Sequence, residues 1–321
     1  MKKLTALTLG LVMAFGIMTG CTAATQKVYK IGIVQPVDHT SLNQIRDTII
    51  SELKALETAG KVEIITKNAN GDSSMLPTIM QELISGGVDL IVPIATPSAQ
   101  AAAAATKTIP IVFSAVSNPI QAKLVTSFED TSGNITGVSN AIAIEDIFAL
   151  AGKLTPAAKT FGLVYNSSEI NSSVGIERAK AYCDKNGLKY KEVTITGTAD
   201  LQQAATSLIG SVDAFFTPND NTVASAMPTY SQLAIAARLP IYAGADSMVK
   251  DGALATVGID YTVLGKQTAA MVTRIYNGET IKGNQVEQIS KYSNMINLKT
   301  ADAIGITVPA ELKDSFIILG Q

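Results

Sequence analysis

Along most of the chain, short apolar runs alternate with longer stretches in which apolar residues recur every three or four positions. That alternation of periods predicts strands alternating with helices. Tyr29 to Val34 reads as a short strand, and behind Ser41 the residues Leu42, Ile45, Ile49, Leu53 and Leu56 share one helical face. Gln44 is placed for a capping box with Ser41, and Gly60 closes that helix. Val62 to Thr66 is a second strand; Asp72 or Ser73 opens a helix that stops at Gly86-Gly87; Leu90 to Ala95 is a third strand. Thr96-Pro97 then supplies an N-cap and a first-turn proline to an alanine-rich helix. Strands at Ile109–Ser114 and Asn134–Val138 and a helix from Ile144 to Leu154 follow.

A second series begins at Thr160. It predicts strand Phe161–Tyr165, helix Glu169–Lys185, strand Leu188–Ile195, helix Asp200–Ile209, strand Ala214–Thr217, helix Asn221–Arg238 and strand Pro240–Ala243. The tail holds one more helix, Leu264 to Tyr276, and two short extended segments. Two such series predict an α/β fold of two doubly wound parallel-sheet lobes joined by a hinge. The expected division is 28–140 plus about 260–290 for the N-terminal lobe and 141–259 plus about 291–321 for the C-terminal lobe. Pro93 removes a ladder donor from a central strand, which should bulge or end early there, and Pro228 should kink or split its helix.

Composition narrows the function classes. With 321 residues, 47% of them hydrophobic, the chain can bury a large core, and 25 Lys+Arg against 27 Asp+Glu leave no basic excess for a phosphate backbone. Nucleic acid is therefore not an expected partner. The N-terminus reads as an address: Lys2 and Lys3 precede an uncharged run from Leu4 to Gly20, shorter than the roughly 20 residues that span a bilayer. Residues 1–20 are then a signal peptide. Met18-Thr19-Gly20-Cys21 resembles the bacterial lipoprotein signal, which implies cleavage before Cys21, acylation of that thiol with chains such as palmitate, a lipidated spacer over 21–27, and a membrane-anchored protein facing outside the cytoplasm. Cys183 has no disulfide partner left and reads as a small core residue.

Templates for catalysis fail in turn. His39 is the single histidine, no Gly-x-Ser-x-Gly elbow occurs, and neither cysteine has a His or Cys neighbour at metal-ligand spacing. Gly265-Lys266 is followed by Gln267 where a phosphate loop needs Ser or Thr, and Val34-Gln35-Pro36 replaces the glycines of a dinucleotide fingerprint. No catalytic residue, metal or cofactor is expected. What remains is polar residues at the carboxyl ends of strands, where open α/β sheets bind ligands. These are Gln35, Asp38 and His39, then Thr96 and Ser98, then Ser117 and Asn118, and in the second series Tyr165, Asn166 and Glu169, then Asp220 and Asn221, then Asp246. The candidate ligand-binding set is Gln35, Thr96, Ser98, Asn118, Tyr165, Glu169, Asp220, Asn221 and Asp246, with His39 at the rim.

Six ordered segments carry a resemblance: Ile31-Gly32-Ile33-Val34-Gln35 followed by His39, Ala95-Thr96-Pro97-Ser98-Ala99, Phe113–Pro119, Val164–Glu169, Pro218-Asn219-Asp220-Asn221 and Val257–Tyr261. Together they resemble the family of ABC-transporter substrate-binding lipoproteins that includes tryptophan- and tyrosine-binding members. The resemblance covers essentially the whole chain after Cys21, and Asn118 departs from it where an aspartate is common. It implies a type I periplasmic-binding-protein fold, a three-strand hinge, no catalysis, a monomer, and partnership with a membrane permease and its ATPase. With it comes an amino-acid-like, zwitterionic ligand. Thr96 and the free N–H groups of helix 97–105 suit a carboxylate, and Asp246 and Asp220 suit an ammonium. Tyr165, Phe216 or Tyr230 would flank an aromatic side chain, although 5% aromatic residues and no tryptophan argue against a heavily aromatic box. Two other readings stay open: an exported enzyme using Asp220, Asp246 and Glu169 on a small carboxylate, and a ligand-sensing subunit for a membrane receptor.

Overall fold

The computed structural model describes residues 27–131 and 133–320. The signal segment, Cys21 and most of the spacer therefore lie outside the described residues. The chain runs β1 (Tyr29–Gln35), α1 (Thr40–Thr58), β2 (Val62–Asn68), α2 (Leu76–Ser85), β3 (Leu90–Pro93), α3 (Thr96–Ala105), β4 (Ile111–Val116) and β5 (Ile135–Ser139). After a crossing come α4 (Ile144–Leu154), β6 (Thr160–Asn166), α5 (Ile170–Lys185), β7 (Lys189–Ile195), α6 (Leu201–Leu208), β8 (Ala214–Thr217), α7 (Asn221–Ser225), α8 (Met227–Ala236), β9 (Ile241–Ala243), α9 (Asp246–Lys250) and β10 (Ala255–Ile259). Then α10 (Tyr261–Tyr276) and β11 (Glu287–Gln288) return to the first lobe, and β12 (Tyr292–Asn297), α11 (Leu298–Ile304), α12 (Ala310–Lys313) and β13 (Ile317–Leu319) to the second.

The strands form two sheets, ordered β11-β5-β4-β3-β1-β2 and β13-β12-β10-β9-β8-β6-β7. The same winding thus occurs twice, and the one antiparallel pairing among the described strands is β10 with β12. Central strands β3, β4 and β8 are buried along their whole length, as expected of parallel strands covered by helices on both faces. Helix α1 shows why the apolar period matters: Leu42, Ile45, Ile49 and Leu53 are its buried face. Cys183 is fully buried in the second lobe, and burial pushes its thiol up to about 11, so it stays protonated packing. The chain passes between the sheets at three places, after β5, after β10 and between β11 and β12, and Tyr292 ties two of them together by donating to the Ala141 carbonyl at 3.2 Å.

Two local expectations are corrected, the capping box and the fourth strand's bounds, and two hold, since the third strand ends early at Pro93 and the 221–238 stretch splits at Pro228. The capping box at Ser41 does not form: α1 begins at Thr40, and the Gln44 side chain donates instead to Thr262 on α10 at 2.6 Å. Pro93 is the last residue of β3, where its missing N–H costs the ladder least. Pro228 sits in the first turn of a separate helix, so the expected single helix 221–238 is two. The fourth strand lies two residues later than its apolar run suggested, and β4 bulges between Ser114 and Val116 where it pairs with β5.

Gly244, just after β9, permits the close approach on which the next subsection depends. A Cβ there would lie 2.6 Å from the Asn219 backbone nitrogen and 2.8 Å from the Pro218 carbonyl carbon. Backbone cannot yield as a side-chain tip does. Gly244→Ala should therefore cost about 1–3 kcal/mol in denaturant unfolding, the range for overpacking, and displace the Pro218–Asp220 turn; an unchanged unfolding midpoint would show the turn to be pliable.

Candidate functional site

Both lobes present the carboxyl edges of their strands to each other, and a cavity closes between them. His39, Ser41, Leu42, Ala115 and Ser117 line it from the first lobe, Asn171, Asn219, Asp220, Asn221, Ala224, Ala245 and Met248 from the second, and Asn140 and Tyr261 from the crossings. Its walls are closely apposed, so anything much larger than water enters only when the lobes part. A wider, solvent-open part of the cleft, with Asn221 as a shared wall, lies between the Asn70–Ser74 turn and the Thr196–Thr198 turn. Polar contacts hold the lobes shut. Asn219 donates to Ser117 at 2.8 Å, Ser117 donates on to Asn140 at 3.3 Å, Thr40 donates to Asp251 at 3.2 Å, and Ser41 is bonded to Ser247.

The second-lobe wall is organised by one carboxylate. Glu169, just before α5, accepts at Oε1 from the Thr222 backbone N–H at 3.1 Å and the Thr222 hydroxyl at 2.9 Å. At Oε2 it accepts from Asn171 Nδ2 at 3.1 Å, from the Asn221 backbone N–H at 3.2 Å, and from Asn221 Nδ2. Asp220, fully buried beside it, caps α7 by accepting from Val223 N–H at 2.8 Å and takes Asn166 N–H at 2.6 Å. Burial, reinforced by the Glu169 charge, pushes the Asp220 carboxyl well above the ordinary carboxylate range. His39 moves the other way: burial pushes its imidazole down to about 4, against smaller raising effects of the Asn221 bond and Asp38. Burial also raises Tyr261, which bonds Ser41 and Asn140 and feels the Asp246 charge.

Two buried polar atoms of cavity-lining residues have no partner, His39 Nδ1 and Asn171 Oδ1; Thr96 Oγ1, Ser98 Oγ and Asp246 Oδ1 are likewise buried without partners, on residues that line neither part of the cleft. A buried group left unpaired costs about 1–3 kcal/mol, and a ligand in the cavity could relieve that cost at His39 and Asn171. Backbone strain gathers here too. Ala95 and Ala115, at the ends of β3 and β4, have φ of 69° and 59°, a region non-glycine residues avoid.

Among the residues singled out from sequence, Asp220 and Asn221 line the cavity, and Glu169 stands behind it while facing the wider cleft. Thr96 does not cap α3; Ala95 holds the cap position and Thr96 is the first helical residue, its hydroxyl and that of Ser98 buried without partners. Asp246 is buried with Oδ2 on Lys250 at 2.7 Å and Oδ1 unpartnered, and it does not line the cavity although Ala245 beside it does. Gln35 is turned aside, donating to the Val37 carbonyl, Asp38 and Asn43. Asn118 folds back on Gln121, and Tyr165 faces Glu192 at 3.4 Å. Phe216 packs with Phe148 and Tyr230 with Phe215 inside the second lobe, so neither flanks the cavity. Missed from sequence were Ser41, Asn140, Asn171, Asn219 and Tyr261. Asn219 and Tyr261 stood in the quoted segments and had a signal; Asn171, inside a helix, had none.

The sequence pattern of the family described as "ABC transporter substrate binding protein" matches residues 30–315. A tyrosine-binding protein of Clostridioides difficile is 34% identical over 318 residues, covering 94% of this chain and 92% of that protein. Among solved structures, a Streptococcus pneumoniae protein in complex with L-Trp superimposes with a TM-score of 0.87 at 36% identity, covering 92% of this chain and 100% of that one. The ligand-free, open structure of a Clostridium difficile substrate-binding protein, also 36% identical with the same coverage, gives 0.67. At equal identity, the present lobe arrangement is the nearer to that of the liganded relative.

The raised Asp220 has a consequence for stability. Ligand-free native protein holds that proton more tightly than the unfolded chain does, so this group stabilises fully below its unfolded pKa near 4, and the contribution is lost as pH rises toward neutrality. Denaturant unfolding of wild type should show a decline of up to about 1.4 kcal/mol per pH unit in that window relative to Asp220→Ala. Parallel profiles would mean that Asp220 ionises normally.

Proposed function

Because the chain belongs to the ABC transporter substrate-binding protein family, we propose that it is the extracytoplasmic receptor of an importer, closing its lobes around one amino-acid-like ligand with an aromatic or large apolar side chain. The observation that carries this reading is the cavity sealed between the two carboxyl edges with buried polar atoms of both lobes unpartnered. A zwitterion answers both needs. The Thr96 and Ser98 hydroxyls at the start of α3 suit its carboxylate, and Asp220, with Asp246 nearby, suits its ammonium. Leu42, Met248 and Tyr261 give the side chain apolar and aromatic surface. The tyrosine- and tryptophan-binding relatives make L-Tyr and L-Trp the first ligands to try.

The anchor belongs to the same proposal. Lipid on Cys21 would hold the receptor at the outer face of the cytoplasmic membrane, within reach of a permease and its ATPase. No described helix is long and apolar enough to cross a membrane.

L-Trp or L-Tyr at 100-fold its Kd should stabilise ligand-stripped protein by about 2.7 kcal/mol, read as a rise of the thermal midpoint. Titration calorimetry should show Asp220→Ala and Asp246→Ala weakening the same ligand by about 2–5 kcal/mol, the range for truncating one partner of a buried charge pair. Both variants binding as wild type would make those carboxylates structural. Mass spectrometry of membrane-extracted protein should find a lipidated N-terminal Cys21, and an intact Met1 would remove the anchor.

A further inference from the structure

The Glu169 carboxylate offers only acceptors, and every polar group it touches must therefore turn a donor toward it. Asn171 does so with Nδ2, which also donates to the Asn219 carbonyl at 3.2 Å, so Asn171 Oδ1 is left pointing elsewhere. Asn221 likewise spends Nδ2 on Glu169, which leaves its Oδ1 to meet His39 Nε2 across the cleft at 3.4 Å. An amide oxygen accepts, so His39 Nε2 carries the proton, and its Nδ1 is a bare lone pair. Part of the imidazole reaches the rim, yet Nδ1 is sealed from water and has no partner; Asn171 Oδ1 is in the same condition, and both residues line the cavity. Two acceptors from opposite lobes thus stand beside Asp220 with no donor in the protein.

We infer that Glu169 acts as a positioning residue that fixes an acceptor-only face, in which His39 Nδ1 and Asn171 Oδ1 receive N–H donors of the ligand's ammonium and so select a primary amine. The inference rests on the amino-acid ligand proposed above and adds who reads its amine. It also requires His39 to be neutral when the lobes are shut, as the burial-lowered basicity of its ring indicates. The charged groups around the ring are Asp38 on its own loop, paired to Arg46; Asp220 across the cavity; Glu169 one amide behind; and Asp251, which accepts from Thr40. With the lobes apart His39 regains an ordinary pKa near 6.5, so below that pH it must lose a proton to bind. An ammonium also releases a proton from Asp220, in the same direction, so the His39 share is read by difference.

His39 is the only histidine in the chain, and protein without an added histidine tag gives a single pair of imidazole nitrogen signals in nitrogen-15 NMR. In the complex with L-Trp or L-Tyr those signals should report the neutral Nε2–H tautomer, still neutral at pH 5, with Nδ1 shifted as a hydrogen-bond acceptor. An imidazolium or an Nδ1–H tautomer in the complex would overturn the inference. By calorimetry, wild-type Kd should rise about fivefold more than that of His39→Gln between pH 6.5 and 5.5, the effect of one proton on a group that titrates near 6.5. At pH 8, His39→Gln and Glu169→Gln should each bind at least tenfold more weakly. Because Glu169→Gln risks the fold, the rim variant His39→Gln decides. Wild type that binds while its pH profile superimposes on that of His39→Gln would overturn this inference alone. Wild type that binds neither amino acid at pH 8 would overturn the amino-acid reading and this inference with it.

Discussion

The arrangement of the cleft follows from burying one carboxylate. Glu169 is 6% exposed, and an unpaired charge in that position would cost several kcal/mol. Its remedy is five donors, two of them backbone N–H groups at the start of α7. Those donors come from the first turn of α5 and from the start of α7 after β8, so satisfying the charge clamps two strand ends together. Asp220, Asn221 and Asn171 are carried into place by that clamp, and their remaining atoms face the other lobe. The like charge of Glu169 beside Asp220 is a second consequence, since two carboxylates this close are not both readily ionised in the absence of a cation.

The rest of the fold makes such a wall useful by setting the carboxyl edge of the other sheet opposite it. Each lobe winds its sheet in the same order, so the carboxyl edge of each carries helix starts and polar turns. Three crossings near one another let the lobes part without breaking either sheet. Contacts that close the cleft are short-range and, apart from Thr40 with the Asp251 carboxylate, join neutral groups: Asn219 with Ser117, Ser41 with Ser247, Asn221 with His39. Such contacts are individually worth about 1 kcal/mol, weak enough to exchange for water when the lobes open. The strained Ala95 and Ala115 lie on the first-lobe side of this edge, where β3 and β4 stop.

Much of this was legible in the order of residues. The 3.6-residue period behind Ser41, the glycines after helices and the all-apolar strands gave two wound series, and Pro93 and Pro228 were recognised as interruptions whose outcome the structure then set. The polar edge was legible as a set, because any residue just past a strand of an open sheet must lie there. Its members were not separable. Gln35 and Asp220 both follow strands, yet Arg46, Asp38 and Asn43 draw Gln35 aside while Asp220 is locked inward by Asn166 and Val223. Asn171 was invisible because nothing in the first turn of a helix announces that a side chain meets a carboxylate two residues earlier and a carbonyl from another loop.

The sequence by itself therefore determined the element order, the two-lobed α/β class and the segments that carry the family, since all of these depend on local periodicity, turn chemistry and short motifs. Tertiary structure alone decided which polar atoms face one another across the cleft, that Thr96 follows the cap instead of being it, and which nitrogen of His39 is left without a partner. The physical reason is that a side chain's aim and protonation are set by partners distant in sequence: Glu169 and Asn221 lie 52 residues apart, and Asn221 and His39 182 apart, and no window along the chain contains both ends of either pair.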